Sequence, residues 1–195
     1  ANSEFIEPLG STGGLRGYKR MLYEGGTRAP FIARWPGKIL PGTTSDLLTT
    51  FVDFLPTAAD LSGVTAPKGL DGHSIVPTML GKDQQVRHAS LYFEIYEPYF
   101  QQAVRMGDWK GYRLGTKAPL ELYDLKADPV EKQNIAAAQP DIVRKIEAIM
   151  TAEHTPSPHY DAPEQGSAGG PKTKKKKASL PELLNHETSN PRAKR

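Results

Sequence analysis

The stretch from Gly13 to Ile39 constrains this chain more than any other, because it concentrates glycine, positive charge and aromatic residues. Glycine permits left-handed backbone turns and close approach to another group. Four cations fall within thirteen residues, namely Arg16, Lys19, Arg20 and Arg28. Tight turns and cations are the components of an anion-binding site. The same composition is also typical of a solvated turn, and spacing alone leaves both interpretations open.

The flanks of this stretch predict two short elements. Residues 18–24 are consistent with a short helix that ends before Gly25 and Gly26. Pro30 and Pro36 bracket the apolar run FIARW, residues 31–35, which predicts a buried strand.

The order of residues here resembles the second signature of the type I, formylglycine-dependent sulfatases, which include the arylsulfatases and belong to the alkaline-phosphatase-like superfamily. The resemblance rests on LRGYK at 15–19, LYEGG at 22–26 and RWPG at 34–37. In that family the lysine of this motif binds a sulfate oxygen, which implies a catalytic and substrate-binding role for Lys19. Arg16 is a second substrate-binding candidate, for which pairing with an acid is the alternative.

The chain of 195 residues contains no cysteine, so disulfides and cysteine ligands are excluded. It also has no credible C/S-x-P/A-x-R motif, from which formylglycine is made. The resemblance therefore implies that the formylglycine nucleophile and the ligands of a Ca²⁺ ion lie upstream, and no metal ligand is expected in this chain. We interpret the chain as the C-terminal part of a longer enzyme, inactive alone, whose partner is the N-terminal part of the same enzyme.

The middle of the chain predicts packing helices. Ser45 is a candidate N-cap for an apolar-periodic helix that is kinked at Pro56 and closed by Gly63. A second, short helix is expected over 75–80. His73, in the preceding turn, lacks partners at metal spacing, and a turn-stabilising role is preferred to a ligand role.

From residue 88 the pattern changes to short aromatic-rich runs, which predict an antiparallel meander. Asp128, Pro129 and Glu131 have the spacing of a helix capping box. An apolar stripe predicts a helix from Pro140 to near His154. The resemblance implies that this subdomain forms a wall of the substrate pocket, and Glu94 is the candidate for contact with sugar hydroxyls.

The fold class predicted is α/β, the C-terminal part of a sulfatase fold. Residues 1–87 would complete a large mixed sheet, residues 88–154 would form a small antiparallel sheet with a terminal helix, and residues 155–195 would be a disordered basic tail. Residues 171–195 contain eight Lys or Arg against two Glu, a net charge of +6, which leaves −3 on the other 170 residues. The high pI therefore belongs to the tail, and nucleic acid is not an expected partner of the body. For the tail itself, solvation and contact with a polyanion both stay open.

Three functions are compatible with these observations. The first is hydrolysis of sulfate esters of a small molecule or carbohydrate. The second is a fragment of a related phosphodiesterase or phosphonate hydrolase, and the third is a non-catalytic module that binds anionic polymers. No apolar run is long enough to predict a membrane span. The resemblance suggests a periplasmic or secreted enzyme.

Overall fold

The computed structural model describes residues 10–97 and 99–164. Its centre is a four-stranded antiparallel sheet in the order β1-β2-β3-β4. The strands are β1 Leu91–Ile95, β2 Gln101–Met106, β3 Trp109–Leu114 and β4 Glu121–Asp124. Because residues on a strand alternate between faces, each strand presents one set of side chains to either side. The predicted antiparallel meander is confirmed.

One face of the sheet packs against α4, Pro140–Glu153. Its core is built from residues without exposed surface, Val104, Leu122, Ile146 and Met150. The fit is close at Gly111, where an added Cβ would lie 2.4 Å from Cγ2 of Ile146. The predicted terminal helix is confirmed, and so is the α/β character of the fold.

The other face of the sheet carries the glycine-rich stretch. Leu22 packs on Ala103 and Tyr112, and the Tyr23 ring lies 4.1 Å, centroid to centroid, from the Tyr112 ring. Helix α1, Glu24–Thr27, follows directly. The sheet is therefore sandwiched between α4 and this stretch.

Residues 43–88, here termed the 43–88 lobe, are joined to one another by hydrogen bonds such as those of Asp53 with His73 and His88. A 3₁₀ turn at Phe51–Asp53 leads into α2, Phe54–Leu61, and α3 is Val76–Met79. A second 3₁₀ turn, Ala136–Ala138, precedes α4. Gly63 follows α2 with φ +68°, as its predicted C′ position requires.

Several predictions of where helices begin or end are wrong. The helix predicted over 18–24 forms instead at Glu24–Thr27, through both glycines. Ser45 caps no helix, because α2 begins nine residues later and Pro56 lies in its first turn, where proline is tolerated. Asp128 and Glu131 bound a turn rather than a helix N-terminus, with the Glu131 N–H donating to the Asp128 carbonyl.

The predicted strand over 31–35 is also wrong. These residues pair with no strand in the described part of the chain, and Phe31 and Ile32 are 64% and 91% exposed. An extended segment becomes a strand only when a neighbour takes up its backbone hydrogen bonds. Further large apolar side chains between residues 35 and 55 are exposed, namely Trp35, Leu40, Phe51, Phe54 and Leu55. Exposed apolar side chains in such number are typical of an interface.

Residues 163 and 164, within the predicted tail, bond to the loop between β3 and β4. The backbone N–H groups of Thr116 and Lys117 donate to the carbonyl oxygens of Pro163 and Glu164, respectively. The predictions about 165–195, including the basic tail, lie outside the described residues. Among the described residues, no helix is long and apolar enough to cross a membrane.

Candidate functional site

The glycine-rich stretch is folded tightly onto itself, and two glycines make this possible. A Cβ on Gly25 would lie 2.3 Å from the Gly17 carbonyl oxygen, and one on Gly26 would lie 1.9 Å from that of Met21. The Gly25 N–H donates to the Arg16 carbonyl at 2.7 Å. These glycines therefore serve backbone-to-backbone packing of α1 against residues 15–21, rather than approach to a ligand.

Lys19 is an exposed residue of a β-turn that lies within the glycine-rich stretch, before α1. The turn spans Tyr18 to Met21 and is closed by a 2.9 Å hydrogen bond from the Met21 N–H to the Tyr18 carbonyl. Arg20 has φ +75°, whereas Lys19 does not have a positive φ, and this combination defines a type II turn. The Lys19 side chain is exposed, and no ion pair or hydrogen bond holds its ammonium within the described residues. It is thus available to an anion.

Arg16 is engaged very differently. Its guanidinium donates to the Tyr123 hydroxyl at 2.7 Å, to the Glu131 carbonyl at 2.9 Å and to the Tyr23 hydroxyl at 3.0 Å. It also lies 3.6 Å from the Glu121 carboxylate and over the Tyr23 ring. The alternative foreseen for Arg16, pairing with an acid, is therefore realised, and its contact with substrate stays a prediction. An open depression beside it is lined by Gly14, Val130, Glu131 and Lys132.

A buried charge cluster joins this stretch to the sheet. Lys110, which is 1% exposed, lies 2.9 Å from a carboxylate oxygen of Glu24 and 3.9 Å from Oε1 of Glu131. Arg105 lies 3.7 Å from the second Glu24 oxygen. The Glu24 N–H donates to Oε2 of Glu131 at 2.7 Å. The beginning of α1 is therefore fixed by residues that follow it by about a hundred positions.

Glu131 is the least compensated member of that cluster. It has no exposed surface, its backbone has φ +55°, and no hydrogen-bond donor reaches its Oε1 among the described residues. Burial raises the pKa of Glu131, and the nearby Glu24 carboxylate acts in the same direction, against the Glu24 N–H and Lys110. Sequence reasoning assigned this residue to a cap. The only sequence signal for the cluster is the alternation of β3, which puts Lys110 on the same face as the buried Tyr112.

Glu94 lies away from this cluster. Alternation along β1 puts it on the α4 face, opposite Gln102, and β1 and β4 form opposite edges of the sheet. Its Oε2 accepts from the Tyr92 hydroxyl at 2.5 Å and lies 2.7 Å from Nδ1 of His154. The structure does not bring Glu94 together with the Lys19 turn, so its contact with sugar hydroxyls stays a prediction.

The 43–88 lobe contains a second buried carboxylate. Asp53 is 2% exposed and lies 2.7 Å from Nε2 of His88, while the His73 N–H donates to it at 2.8 Å. Although burial alone would raise the pKa of Asp53, the hydrogen bonds from His73, Thr50, Thr49 and His88 lower it overall. His73 thus contributes a backbone donor to this turn.

Metal binding is not supported by the side chains in view. Within residues 10–97 and 99–164, no group of three or more His, Cys, Asp or Glu side chains could hold a metal ion. The Ca²⁺ ion implied by the resemblance therefore does not fit the described residues.

Comparison with known proteins supports one family. The profile of the family described as N-sulphoglucosamine sulphohydrolase, C-terminal, matches residues 15–155. Arylsulfatase A of Homo sapiens is 32% identical over 169 residues, covering 72% of this chain and 33% of that protein. The N-acetylgalactosamine-6-O-sulfatase of Bacteroides thetaiotaomicron is 32% identical over 155 residues, covering 72% of this chain and 30% of that protein. The chain spans about a third of the length of these relatives.

Solved structures agree in fold. BT33336S-sulf, reported with the metabolism of multiple glycosaminoglycans by Bacteroides thetaiotaomicron, matches 72% of this chain and 32% of its own, with TM-score 0.61 and 29% identity. BT4656, solved in complex with its substrate D-glucosamine-2-N,6-O-disulfate, matches 61% of this chain and 26% of its own, with TM-score 0.54 and 28% identity.

Proposed function

Because the chain belongs to the N-sulphoglucosamine sulphohydrolase C-terminal family of the sulfatases, we propose that it contributes the sulfate-binding Lys19 turn to a sulfuric ester hydrolase. The overall reaction is R–O–SO₃⁻ + H₂O giving R–OH and HSO₄⁻. The observation that carries the proposal is the exposed ammonium of Lys19, which has no partner among the described residues and lies on a turn closed by a backbone hydrogen bond.

Lys19 would act by electrostatic stabilisation. As the ester bond breaks, negative charge grows on the oxygens of the sulfate group and on the bridging oxygen. A cation fixed beside those oxygens stabilises the transition state more than the ground state. An ammonium suits this position because it is a compact charge with three donors.

The other chemical groups would come from outside the described residues. We propose that a formylglycine nucleophile and a Ca²⁺ ion, when present, supply the attacking oxygen and neutralise sulfate charge. The polypeptide that carries the formylglycine and the Ca²⁺ ligands would cover the exposed apolar side chains at 31–35 and 51–55. The chain by itself is then expected to be inactive toward aryl sulfates.

A sulfated carbohydrate is the proposed substrate class. The support is BT4656, whose substrate is a disulfated glucosamine. Arg16 would position the motif through Tyr23, Tyr123 and Glu131. Direct contact of Arg16 or Glu94 with the sugar remains a prediction.

Substitution of Lys19 in the complete enzyme tests the proposal. Lys19→Ala is expected to lower kcat for a sulfate ester about 10²–10³-fold, as the loss of one transition-state donor does. Lys19→Arg should restore little, because a planar fork cannot replace a point charge. Lys38→Ala, which removes another exposed lysine of the same stretch, is the control and should leave kcat unchanged. Equal kcat for Lys19→Ala and Lys38→Ala, with nucleophile and metal content verified, would refute the proposal.

A further inference from the structure

Gln101, the first residue of β2, makes one hydrogen bond to the backbone of the Lys19 turn, at Arg20, and one to the backbone of Leu22, which directly follows the turn. We propose that Gln101 is a positioning residue that fixes this turn and thereby the Lys19 ammonium. The inference rests on the proposed function, since Lys19 must contact the sulfate for its position to matter.

The turn requires external support because of its backbone conformation. Its third residue, Arg20, has φ +75° although it carries a side chain. The left-handed conformation costs a residue other than glycine about 1–2 kcal/mol and persists only where surrounding contacts hold it. Lys19 directly precedes Arg20, so a change in this conformation would move the lysine.

Gln101 provides contacts on both sides of the strained position. Its Nε2 donates to the Arg20 carbonyl at 2.9 Å, and its Oε1 accepts from the Leu22 N–H at 3.2 Å. The two hydrogen bonds join residues that are 79 and 81 positions apart in the sequence, and the Gln101 side chain is buried, with Gln101 3% exposed. A buried amide with partners at both ends has a defined orientation.

The Gln101 amide is itself held by a side chain of the neighbouring strand. The Tyr112 hydroxyl donates to Oε1 of Gln101 at 3.3 Å. Leu22 is anchored next to it by packing on Ala103 and Tyr112. The turn is therefore connected to rigid strands by one side chain, and an error of about 1 Å in a catalytic group can lower the rate about 100-fold.

The test replaces the amide without changing its length much. In the complete enzyme, Gln101→Met is expected to lower kcat about 10- to 100-fold with little change in KM, because Lys19 acts in the transition state. The matched control is Gln84→Met. Gln84 is 6% exposed, donates to the Ser74 and Val86 carbonyls and accepts from Thr78, so it holds a loop in the same way but in the 43–88 lobe.

A double-mutant cycle separates positioning from general destabilisation. If Gln101 acts through Lys19, adding Gln101→Met to Lys19→Ala lowers kcat no further. Additive losses, or an equal loss in Gln84→Met, would overturn the inference. Should Gln101→Met fail to fold, Gln101→Glu serves instead, because it keeps the acceptor for Leu22 but cannot donate to Arg20.

Hydrogen exchange gives a readout that does not depend on activity. Loss of the Gln101 acceptor should speed exchange of the Leu22 amide, while Gln84→Met leaves that amide unchanged. If Lys19→Ala does not alter kcat, the proposed function fails and the inference with it. If Lys19→Ala lowers kcat but Gln101→Met alters neither kcat nor Leu22 exchange, the inference alone is wrong.

Discussion

Replacing Glu131 by glutamine tests the buried charge cluster beneath the glycine-rich stretch. Glutamine has the same shape and keeps an oxygen to accept from the Glu24 N–H. It removes a carboxylate that is fully buried and lies 3.9 Å from its nearest cation, Lys110. Lys110 is closer to Glu24, at 2.9 Å. Of the two acids, Glu131 is therefore the one whose ionisation is less compensated.

The pH dependence follows from the direction of its pKa. Burial raises the pKa of folded Glu131 above its ordinary value of 4.5. Between 4.5 and the folded pKa, the folded chain holds one proton more than the unfolded chain. The stabilisation that comes from protonated Glu131 is fully present when the pH is below the unfolded pKa, and it is lost as pH rises through the folded pKa. Across that window the wild type should lose up to about 1.4 kcal/mol per pH unit relative to Glu131→Gln.

The assay is urea unfolding of both proteins from pH 4 to pH 8. We expect the stability of the wild type minus that of Glu131→Gln to decrease with pH and then level off. Glu153→Gln, which changes an exposed glutamate on α4, should show no such trend. A difference that grows with pH would mean that Glu131 is ionised and well paired, and would refute the reasoning.

Two further substitutions test other parts of the structure. Asp53→Asn should cost about 2–4 kcal/mol at pH 7, because the Thr50 N–H loses its acceptor and the charged hydrogen bonds are lost. The pKa of folded Asp53 is lowered, so the stability difference between the wild type and Asp53→Asn should be present above pH 3.8 and vanish as pH falls through the folded pKa. A stability difference that persists at pH 2 would contradict this. Gly26→Ala should destabilise by about 3 kcal/mol or more, because its Cβ would lie 1.9 Å from a carbonyl oxygen that cannot move freely. Gly63→Ala, with φ +68° and no neighbour within 4 Å, should cost only about 1 kcal/mol in urea unfolding, and equal losses would argue against the clash.

The sequence by itself determined the local elements whose signals are periodic. The turn at Gly107 and Asp108 joins two alternating runs and gives the β2–β3 hairpin. The apolar stripe of α4 fixed both the helix and the face it buries. The motif around Lys19 was sufficient to identify the family, because its order of residues is long and specific.

Only the tertiary structure decided which side chains meet. Arg16 bonds Tyr123, 107 positions away, and Glu131 bonds the backbone of Glu24 across the same separation. Neither pairing has a local signal, since sequence periodicity predicts the face of an element and not the element opposite. The strand expected at 31–35 failed for the same reason, because a strand exists only with a partner for its backbone. Gln101 likewise acquires its proposed role only because the fold places β2 beneath the Lys19 turn.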